Sequence, residues 1–257
     1  MTMREQLTER VGKPHLSYSS LKYALGDMRL WEMYMKGQLK KESEALTFGS
    51  LYDLLLFEPE KFNDVYYTLD DSSIVASIGG KYPRNTKRYK EWKAEAQQHA
   101  DHADKELASE ADVKKAKEMI QRLKDCGLYD KRFANGRYQV EFNVDLDGVP
   151  LKGFLDCLQD GQFIVDSKSS RSIDKFRYDV NSFSYDIQAY IYTKVFGLRD
   201  FYWVVQEKAY PFYPADVKCS EETLFRGEMK FHQALENIQN FLNGNDKTEK
   251  HFAEFVV

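Results

Sequence analysis

A change of periodicity at residue 138 constrains the fold more than any other feature of the sequence. In Tyr138–Leu146 an apolar residue recurs at every second position, as in a strand with one buried face. Asp147-Gly148 and Asp160-Gly161 are hairpin turn signals. They separate this segment from two further predicted strands, Leu151–Leu158 and Gln162–Lys168. The pattern therefore predicts three consecutive strands joined by two hairpins.

Helical patterns flank these three strands on both sides. They are recognised by capping residues, by glycine or proline stops and by the spacing of apolar residues. The predicted helices are Ser20–Lys36 with Ser19 as its cap, Ala45–Phe57, Thr86–Asp125 with a restart at Ser109 as an alternative, Ile173–Phe196 and Glu221–Leu242. Two more strands are predicted at Phe201–Gln206 and Phe212–Val217, and a loop at Asp70–Pro83. This order predicts an α/β fold with a central mixed sheet flanked by helices and a helical N-terminal half.

The length and composition of the chain bound its class. The 257 residues suffice for one sizeable core, and no linker composition marks a domain boundary. We expect a single domain, with a helical part at about 1–135 and a sheet-containing part at about 136–257. No run of eighteen apolar residues and no signal-peptide pattern is present, so a cytoplasmic protein without a membrane partner is expected. Three widely spaced cysteines exclude a four-cysteine zinc ribbon or iron–sulfur cluster.

The net charge of −4 is unlike that of a typical DNA-binding protein. Affinity for phosphate depends on local charge rather than on the total, and basic residues do cluster between positions 81 and 93. We expect Arg84, Lys87 and Arg88 of this run to contact DNA, and solubility is the alternative explanation for their charge. The overall charge therefore argues against tight static binding more than against processing of DNA.

Candidate catalytic residues lie on the second and third predicted strands. Asp166 and Lys168 are two residues apart on a strand, so their side chains leave the same face. Asp156 lies ten residues earlier, on the neighbouring strand. Two carboxylates on one face can hold a hard divalent cation such as Mg²⁺. A lysine beside that cation can lower the pKa of a water molecule or orient it towards phosphorus.

Three further residues can complete such a site. Glu141 lies on the polar face of the first predicted strand and can add a third carboxylate. Gln188 and Tyr192 are four residues apart on a helix, so they share a face that can cover the site. A solvated strand face is the alternative explanation for these polar residues. However, Asp166 follows an apolar run typical of a central strand, where a charged group without a task would be costly.

The length of the turn at Asp160-Gly161 decides whether the two carboxylates can meet. A two-residue loop places Asp166 opposite Leu155 and sends the carboxylates to opposite faces. A three-residue loop, Gln159–Gly161, places both on one face and puts glycine at the left-handed position. The catalytic interpretation therefore predicts the longer loop or a bulge.

Spaced motifs extend over most of the chain. They are His15–Lys22, Phe48–Pro59, Gly153–Asp156, Val165–Lys168, Gln188–Tyr192 and Gln206–Lys208 followed by Pro211. The set resembles the phage and prophage exonucleases of the PD-(D/E)XK superfamily, especially the RecE-type (exodeoxyribonuclease VIII) family and more distantly lambda exonuclease. The resemblance implies a restriction-endonuclease-like core. It also implies a Mg²⁺-dependent enzyme, with Mn²⁺ as a substitute, that resects linear duplex DNA from 5′ to 3′ and leaves 3′ single-stranded tails for recombination.

The resemblance also implies roles for individual residues. Asp156, Asp166 and the backbone of Ser167 would bind the metal, Lys168 would be the catalytic lysine, and Gln188 would support the site. Many relatives carry a metal-binding histidine near the position of Asp53, so this aspartate is expected to replace it as a ligand. The implied partners are duplex DNA ends, a phage single-strand annealing protein and further copies of the chain in a ring-shaped trimer or tetramer. The implied location is the cytoplasm of a bacterial host, as a phage or prophage protein.

Further DNA contacts are expected at positions outside this cluster. Ser19, Ser20 and Arg29 can bind a 5′-phosphate, because a helix N-terminus and an arginine both suit phosphate. Arg171, just after the third strand, is expected to contact DNA as well. Three alternatives remain: an endonuclease, a Cas4-like nuclease and a non-catalytic DNA-binding protein with a decayed site. The missing cysteine cluster argues against the second, and the complete set of Asp156, Asp166, Lys168 and Gln188 argues against the third.

Overall fold

The computed structural model describes residues 1–39 and 44–245. Its helices are Met3–Val11 (α1), Tyr18–Ala24 (α2), Met28–Met35 (α3), Glu44–Phe57 (α4), Phe62–Val65 (α5), Ser72–Ile78 (α6), Lys87–His102 (α7), Glu110–Asp125 (α8), Leu128–Arg132 (α9), Ile173–Ser182 (α10), Tyr185–Phe196 (α11) and Glu221–Leu242 (α12). Its strands are Tyr66–Leu69 (β1), Glu106–Ser109 (β2), Arg137–Leu146 (β3), Val149–Gln159 (β4), Phe163–Ser170 (β5), Asp200–Glu207 (β6) and Pro214–Lys218 (β7). Short 3₁₀ segments lie at Pro59–Lys61 and Pro83–Asn85. None of the described helices combines the length and apolar character needed to cross a membrane.

Five strands form the central sheet in the order β3-β4-β5-β6-β7. The pairs β3–β4, β4–β5 and β6–β7 are antiparallel, and β5–β6 is parallel. The parallel pair is connected through α10 and α11, as a crossover between parallel strands requires. This arrangement confirms the predicted α/β fold with a mixed sheet. All five predicted strands are present, with ends within two residues of those expected.

Helices cover both faces of the sheet. One face packs against α1, α2, α3, α10, α11 and α12, around buried side chains that include Trp31, Ile187, Trp203 and Phe231. The other face packs mainly against α4, α8 and α9. Strand β5, third of the five, is covered on both sides, which explains the apolar run that precedes Asp166.

The N-terminal segment is joined directly to the sheet. Leu16 forms an isolated parallel bridge with Leu151 of β4. Its N–H donates to the Pro150 carbonyl at 2.8 Å, and its carbonyl accepts from the Lys152 N–H at 2.8 Å. Helices from before and after the sheet share one apolar core. Residues of the predicted helical part, about 1–135, therefore pack directly against residues of the predicted sheet-containing part.

Two predicted helices are interrupted in the structure. Ser20–Lys36 is divided into α2 and α3, and the cap of α2 is Ser17 rather than Ser19. Asp27 caps α3 by accepting from the Arg29 N–H, which makes a second helix start locally favourable. Ile173–Phe196 is divided into α10 and α11 at Ser184, whose φ of 58° cannot continue a right-handed helix.

The region before the central sheet is less purely helical than predicted. The segment Thr86–Asp125 is interrupted by β2, which pairs in parallel with β1 in a separate two-stranded sheet. The alternative restart is confirmed, since the Ser109 side chain caps α8 by accepting from the Asp112 N–H. The predicted loop Asp70–Pro83 contains α6, and α1 precedes the first predicted helix.

Candidate active site

The turn between β4 and β5 sets the alignment of the candidate carboxylates. Gln159 pairs with Phe163 across the hairpin, so the connection has three residues, Asp160–Gln162, rather than Gln159–Gly161. Gly161 has a φ of +70°, as expected for its left-handed position. The same register, continued along the hairpin, brings Asp156 opposite Asp166. The turn thus has the predicted length of three residues, displaced by one position, and the two carboxylates are aligned across the hairpin.

The backbone ladder between β4 and β5 ends next to this pair of carboxylates. Cys157 and Val165 are the last paired residues. Beyond them the Asp156 side chain takes the place of a backbone acceptor, and its Oδ2 accepts from the Ser167 N–H at 2.8 Å. Side-chain alternation in β4 also changes here, because Leu155 and Cys157 pack in different cores although they are two residues apart. The irregular strand therefore holds the Asp156 carboxylate against β5.

Asp166 is a fully buried aspartate at the centre of the sheet. Its Oδ2 forms an ion pair with the Lys168 ammonium, which lies two residues along the same face of β5. Its Oδ1 accepts from the Gln188 Nε2 at 2.7 Å. One carboxylate oxygen thus contacts the lysine, and the other is oriented by a buried amide of α11.

Gln188 and Tyr192 of α11 form a buried layer beside the carboxylates. The Tyr192 hydroxyl donates to the Phe154 carbonyl at 2.7 Å and lies 3.4 Å from the Gln188 Nε2. This helix therefore links β4, just before Asp156, to Asp166 on β5. The two residues support the site from behind, and their spacing of four brings them to one face of the helix as predicted.

Asp53 approaches the same group of charges from α4, on the other side of the sheet. Burial raises the pKa of Asp53 well above its usual value, and Asp156 and Asp166 raise it further while Lys168 lowers it. Tyr52, the residue before Asp53 on α4, attaches this helix to the sheet. Its buried hydroxyl donates to the Gln206 Oε1 at 2.7 Å. The structure consequently brings a residue of the N-terminal part to the carboxylates of the sheet.

Burial and mutual repulsion shift the pKa values of these groups in a consistent direction. The pKa of Asp156 is raised to about 7, first by burial and then by the charge of Asp166, with Lys168 opposing. The pKa of Asp166 is also raised by burial, and Lys168 and Gln188 partly offset this effect. Burial lowers the pKa of Lys168, but Asp166 and Asp156 outweigh it and the net shift is upwards. The two carboxylates therefore favour the ammonium form of Lys168.

The donor set matches a hard divalent cation in charge and chemistry. When ionised, the three carboxylates of Asp53, Asp156 and Asp166 and the Lys168 ammonium carry a formal charge of −2, from three negative charges and one positive. Carboxylate oxygens are the ligands that Mg²⁺ prefers. Within residues 1–39 and 44–245, no three His, Cys, Asp or Glu side chains already enclose a metal position. Lys168 is instead the cation that contacts Asp166.

Two tyrosines extend the site beyond the residues that the sequence indicated. The Tyr185 ring centroid lies 5.0 Å from the Lys168 Nζ, within the range of a cation–π contact. Tyr18 packs beside it, at 6.5 Å between ring centroids, and donates to the Phe183 carbonyl at 2.6 Å. Tyr18 belongs to the motif His15–Lys22, but Tyr185 carried no sequence signal. It reaches Lys168 because the chain turns at the start of α11.

Glu141 does not join the carboxylate cluster. It lies on β3 opposite Phe154, on a solvent-exposed face, and forms an ion pair with Lys152 at 2.7 Å. Residues on the other face of β3, such as Phe142, point into the core. The expectation of a third carboxylate from β3 is therefore corrected, because the alternation of the strand directs this side chain away from the site.

The expected 5′-phosphate residues at the N-terminus are engaged in local structure. Ser20 is buried, and its hydroxyl takes part in the capping box of α2 with Ser17, accepting from the Ser17 N–H at 2.8 Å. Ser19 is the partly buried second residue of that helix. Arg29 is exposed and pairs with Asp27 at 2.7 Å. Ser20 thus completes the capping box of α2, which is a sufficient reason for its presence in the motif.

The other expected DNA-binding residues lie in two places. Arg84, Lys87 and Arg88 are exposed at and before the start of α7. Arg84 forms a two-pronged ion pair with Asp71, at 2.6 and 3.0 Å, which occupies its guanidinium. Arg171 is exposed and directly follows β5, three residues beyond Lys168. It is therefore the basic residue of this set that lies nearest in sequence to the cluster.

Comparison with known proteins gives a family and a fold. A family model described as a PDDEXK-like domain of unknown function, DUF3799, matches residues 17–251. A crystal structure of a candidate exonuclease from Eubacterium rectale is 17% identical, covers 98% of this chain and 93% of its own, and has a TM-score of 0.60. A phage-related exonuclease from Haemophilus somnus (11% identity, 90% of this chain and 96% of its own, TM-score 0.36) and an alkaline exonuclease from Laribacter hongkongensis (10%, 69% and 90%, 0.30) superpose too loosely to carry an argument. No curated protein matches the chain.

Proposed function

Because the chain belongs to the PDDEXK-like DUF3799 family, we propose that it is a metal-dependent nuclease that hydrolyses phosphodiester bonds of DNA. The observation that carries this proposal is the grouping of partly buried Asp156, fully buried Asp166 and Lys168 across the β4–β5 hairpin. Buried carboxylates with raised pKa values and a lysine are costly to a fold unless they have a task. The polar layer of Gln188 and Tyr192 then has a purpose in orienting them.

The residues of the site would divide the reaction among them. Asp53, Asp156 and Asp166, with the backbone of Ser167, would hold Mg²⁺ or Mn²⁺. A bound cation supplies Lewis-acid stabilisation of the phosphate and a more acidic water molecule. Lys168, charged at working pH, would donate to the attacking water or to a phosphate oxygen and stabilise negative charge in the transition state. Gln188 would keep the Asp166 carboxylate in place, and the Tyr185 ring would limit the positions open to the lysine.

We further propose that the enzyme is an exonuclease that resects linear duplex DNA from 5′ to 3′. The resemblance of the spaced motifs to the RecE-type family supports this, as does the description of the Eubacterium rectale structure as a candidate exonuclease. The 3′ single-stranded product would serve a phage single-strand annealing protein in recombination. A ring-shaped trimer or tetramer around the duplex would keep the enzyme on its substrate.

End-labelled linear duplex and covalently closed circular duplex, each with Mg²⁺ and with EDTA, test the proposed function. We expect Mg²⁺-dependent release of mononucleotides or short products from linear DNA, no loss of the circle, and no activity in EDTA, because the carboxylates need a cation to act on phosphate. Label at the 5′ or the 3′ end reports the direction of resection. Undiminished cleavage in EDTA would overturn the metal mechanism, and rapid cutting of the circle would identify an endonuclease instead.

A further inference from the structure

Two lysines from distant parts of the chain lie over one buried aromatic ring. The Nζ of Lys115, on α8, is 5.1 Å from the centroid of the Phe48 ring on α4. The Nζ of Lys208, which follows β6, is 5.8 Å from the same centroid. Phe48 is only 7% exposed, so the ring supports the two ammonium groups and offers no open face to another group. The two positive charges are therefore both held at the Phe48 ring by packing.

Arg171 adds a third positive charge to this pair. The pKa of Lys208 is lowered by burial and then by the charges of Lys115 and Arg171, so both groups lie within electrostatic range of Lys208. Arg171 also directly follows Ser170, whose carbonyl accepts from the Lys208 N–H. None of the three forms an ion pair with any acid in residues 1–39 and 44–245. Most other basic residues near the sheet do have one, as Lys152 has Glu141. Grouped like charges without a counter-charge indicate a site for an anion.

The elements that carry this basic cluster also carry the carboxylates. Phe48 and Asp53 lie five residues apart on α4, or roughly 7.5 Å along the helix axis. The Lys208 N–H donates to the Ser170 carbonyl at 2.9 Å, and Ser170 lies two residues beyond Lys168 on β5. A ligand that reached both the carboxylates and the cluster would be an extended polyanion, and not a single small anion.

We propose that Lys115, Lys208 and Arg171 form a phosphodiester-binding subsite that holds the DNA backbone next to the scissile phosphate. The site recognises phosphate and not bases, because the aromatic ring is covered and the three groups that form the subsite are cations. Binding at this subsite is therefore independent of base sequence. The inference rests on the proposed nuclease function, which supplies the DNA, but it is a separate claim about binding.

The test is the salt dependence of DNA binding by the variant Lys115→Gln/Lys208→Gln. Fluorescence anisotropy of a labelled linear duplex, with Ca²⁺ in place of Mg²⁺, gives Kd between 50 and 300 mM salt. Each duplex phosphate contact contributes about 0.9 to the slope of log Kd against log salt, so we expect the slope to fall by about 1.8 and Kd at low salt to rise roughly tenfold. The charge-preserving variant Lys115→Arg/Lys208→Arg should retain most of the wild-type slope.

The matched control is Lys114→Gln/Lys218→Gln, which removes the same charge. Lys114 is the exposed neighbour of Lys115, and Lys218 of β7 pairs with Asp200 of β6. We expect the slope of the control to equal that of the wild type. If the Lys115→Gln/Lys208→Gln variant has the same slope as the control, the subsite is overturned, and the nuclease function stands as long as the wild type digests DNA.

If the variant has a reduced slope but the wild type digests no DNA, the subsite is supported and the proposed function is overturned. If the wild type binds no duplex, both are overturned.

Discussion

Lys168 has two contacts that set its position. It pairs with Asp166 and lies against the Tyr185 ring. The charges of Asp166 and Asp156 favour its protonated form. Its role would be that of a charged donor whose position is set by its neighbours.

The variant Lys168→Ala should lose activity by about 10²-fold in kcat, a scale typical of the removal of one electrostatic or acid–base group. Its KM for DNA ends should change little, because one phosphate contact among many supplies only part of the affinity. Steady-state digestion of linear duplex measures both constants. Lys168→Arg should not restore the rate, since a planar guanidinium does not replace a compact ammonium.

Lys152→Ala is the control for this substitution. Lys152 is a lysine of β4 that pairs with exposed Glu141, outside the carboxylate cluster. Its replacement should leave kcat unchanged. A folded Lys168→Ala protein that digests DNA at the wild-type rate would refute the assignment of Lys168.

Asp156 links protonation to metal binding and to stability. An aspartate whose pKa is raised on folding, here from 3.8 to about 7, stabilises the fold below pH 3.8, and this contribution is lost as the pH rises through 7. In EDTA, the site should therefore make the protein less stable at pH 8 than at pH 5.5. Because a cation binds the ionised form, its affinity should weaken roughly tenfold per pH unit below the pKa. Thermal unfolding should show a larger increase in Tm with Mg²⁺ at pH 8 than at pH 5.5.

The substitution Asp156→Asn provides the control for the pH effect. It removes the titrating group while keeping an acceptor for the Ser167 N–H. The Mg²⁺-dependent increase in Tm should become small and nearly the same at both pH values. An equal effect of Mg²⁺ on the wild type at pH 5.5 and pH 8 would show that Asp156 does not control cation binding.

At the scale of elements, α11 is the helix on which the site depends, and α12 holds it in place. Gly227 of α12 lies directly against the backbone of α11 at Asp186. The buried Asp186 carboxylate accepts from the Arg226 Nε at 2.6 Å and from the Lys230 Nζ at 2.9 Å. A close backbone approach and a buried ion pair therefore fix α11, and with it Gln188 and Tyr192.

The substitution Gly227→Ala should separate these two helices. Its Cβ would lie 2.1 Å from the Asp186 carbonyl oxygen, and backbone cannot move aside as a flexible side chain can. Overpacking of this kind costs about 1–3 kcal/mol, which corresponds to several degrees in Tm for a chain of this length. We also expect a fall in kcat, because a shifted α11 would misplace Gln188.

Gly26→Ala is the matched control, since its Cβ would make only an ordinary contact of 3.7 Å with the Tyr23 carbonyl. Thermal denaturation and digestion assays should place it within about 0.5 kcal/mol of the wild type with unchanged kcat. A Gly227→Ala protein with wild-type Tm would mean that the two helices can separate without cost.

At the scale of the whole molecule, the site is assembled from segments that lie far apart in the sequence. Asp53 comes from α4 on one face of the sheet, Gln188 from α11 on the other, and Asp156 and Asp166 from the hairpin between them. Deletion of the N-terminal helices would remove Leu16, which pairs with Leu151 of β4, and Tyr18, which packs beside Tyr185 at the site. The part from residue 136 onwards therefore contains the principal motif but lacks several of the groups that surround it.

Local patterns in the sequence determined the strands and the Asp156, Asp166 and Lys168 motif. A strand with one buried face alternates between apolar and polar residues, and a strand with two buried faces is a continuous apolar run. The position of a strand is therefore encoded in adjacent residues. The sequence left the length of the turn around Gly161 open, although a glycine suits the positive φ that this position adopts. Family resemblance, and not a local pattern, indicated Asp53.

Tertiary packing alone decided which side chains surround that motif. Tyr185 meets Lys168 because Ser184 adopts a left-handed conformation, for which its local sequence carries no signal. Lys115 and Lys208 meet over Phe48 because α8 and α4 pack on the same face of β6. Contacts between residues far apart in the chain depend on which elements pack together, and this is a property of the folded core that no local sequence pattern records.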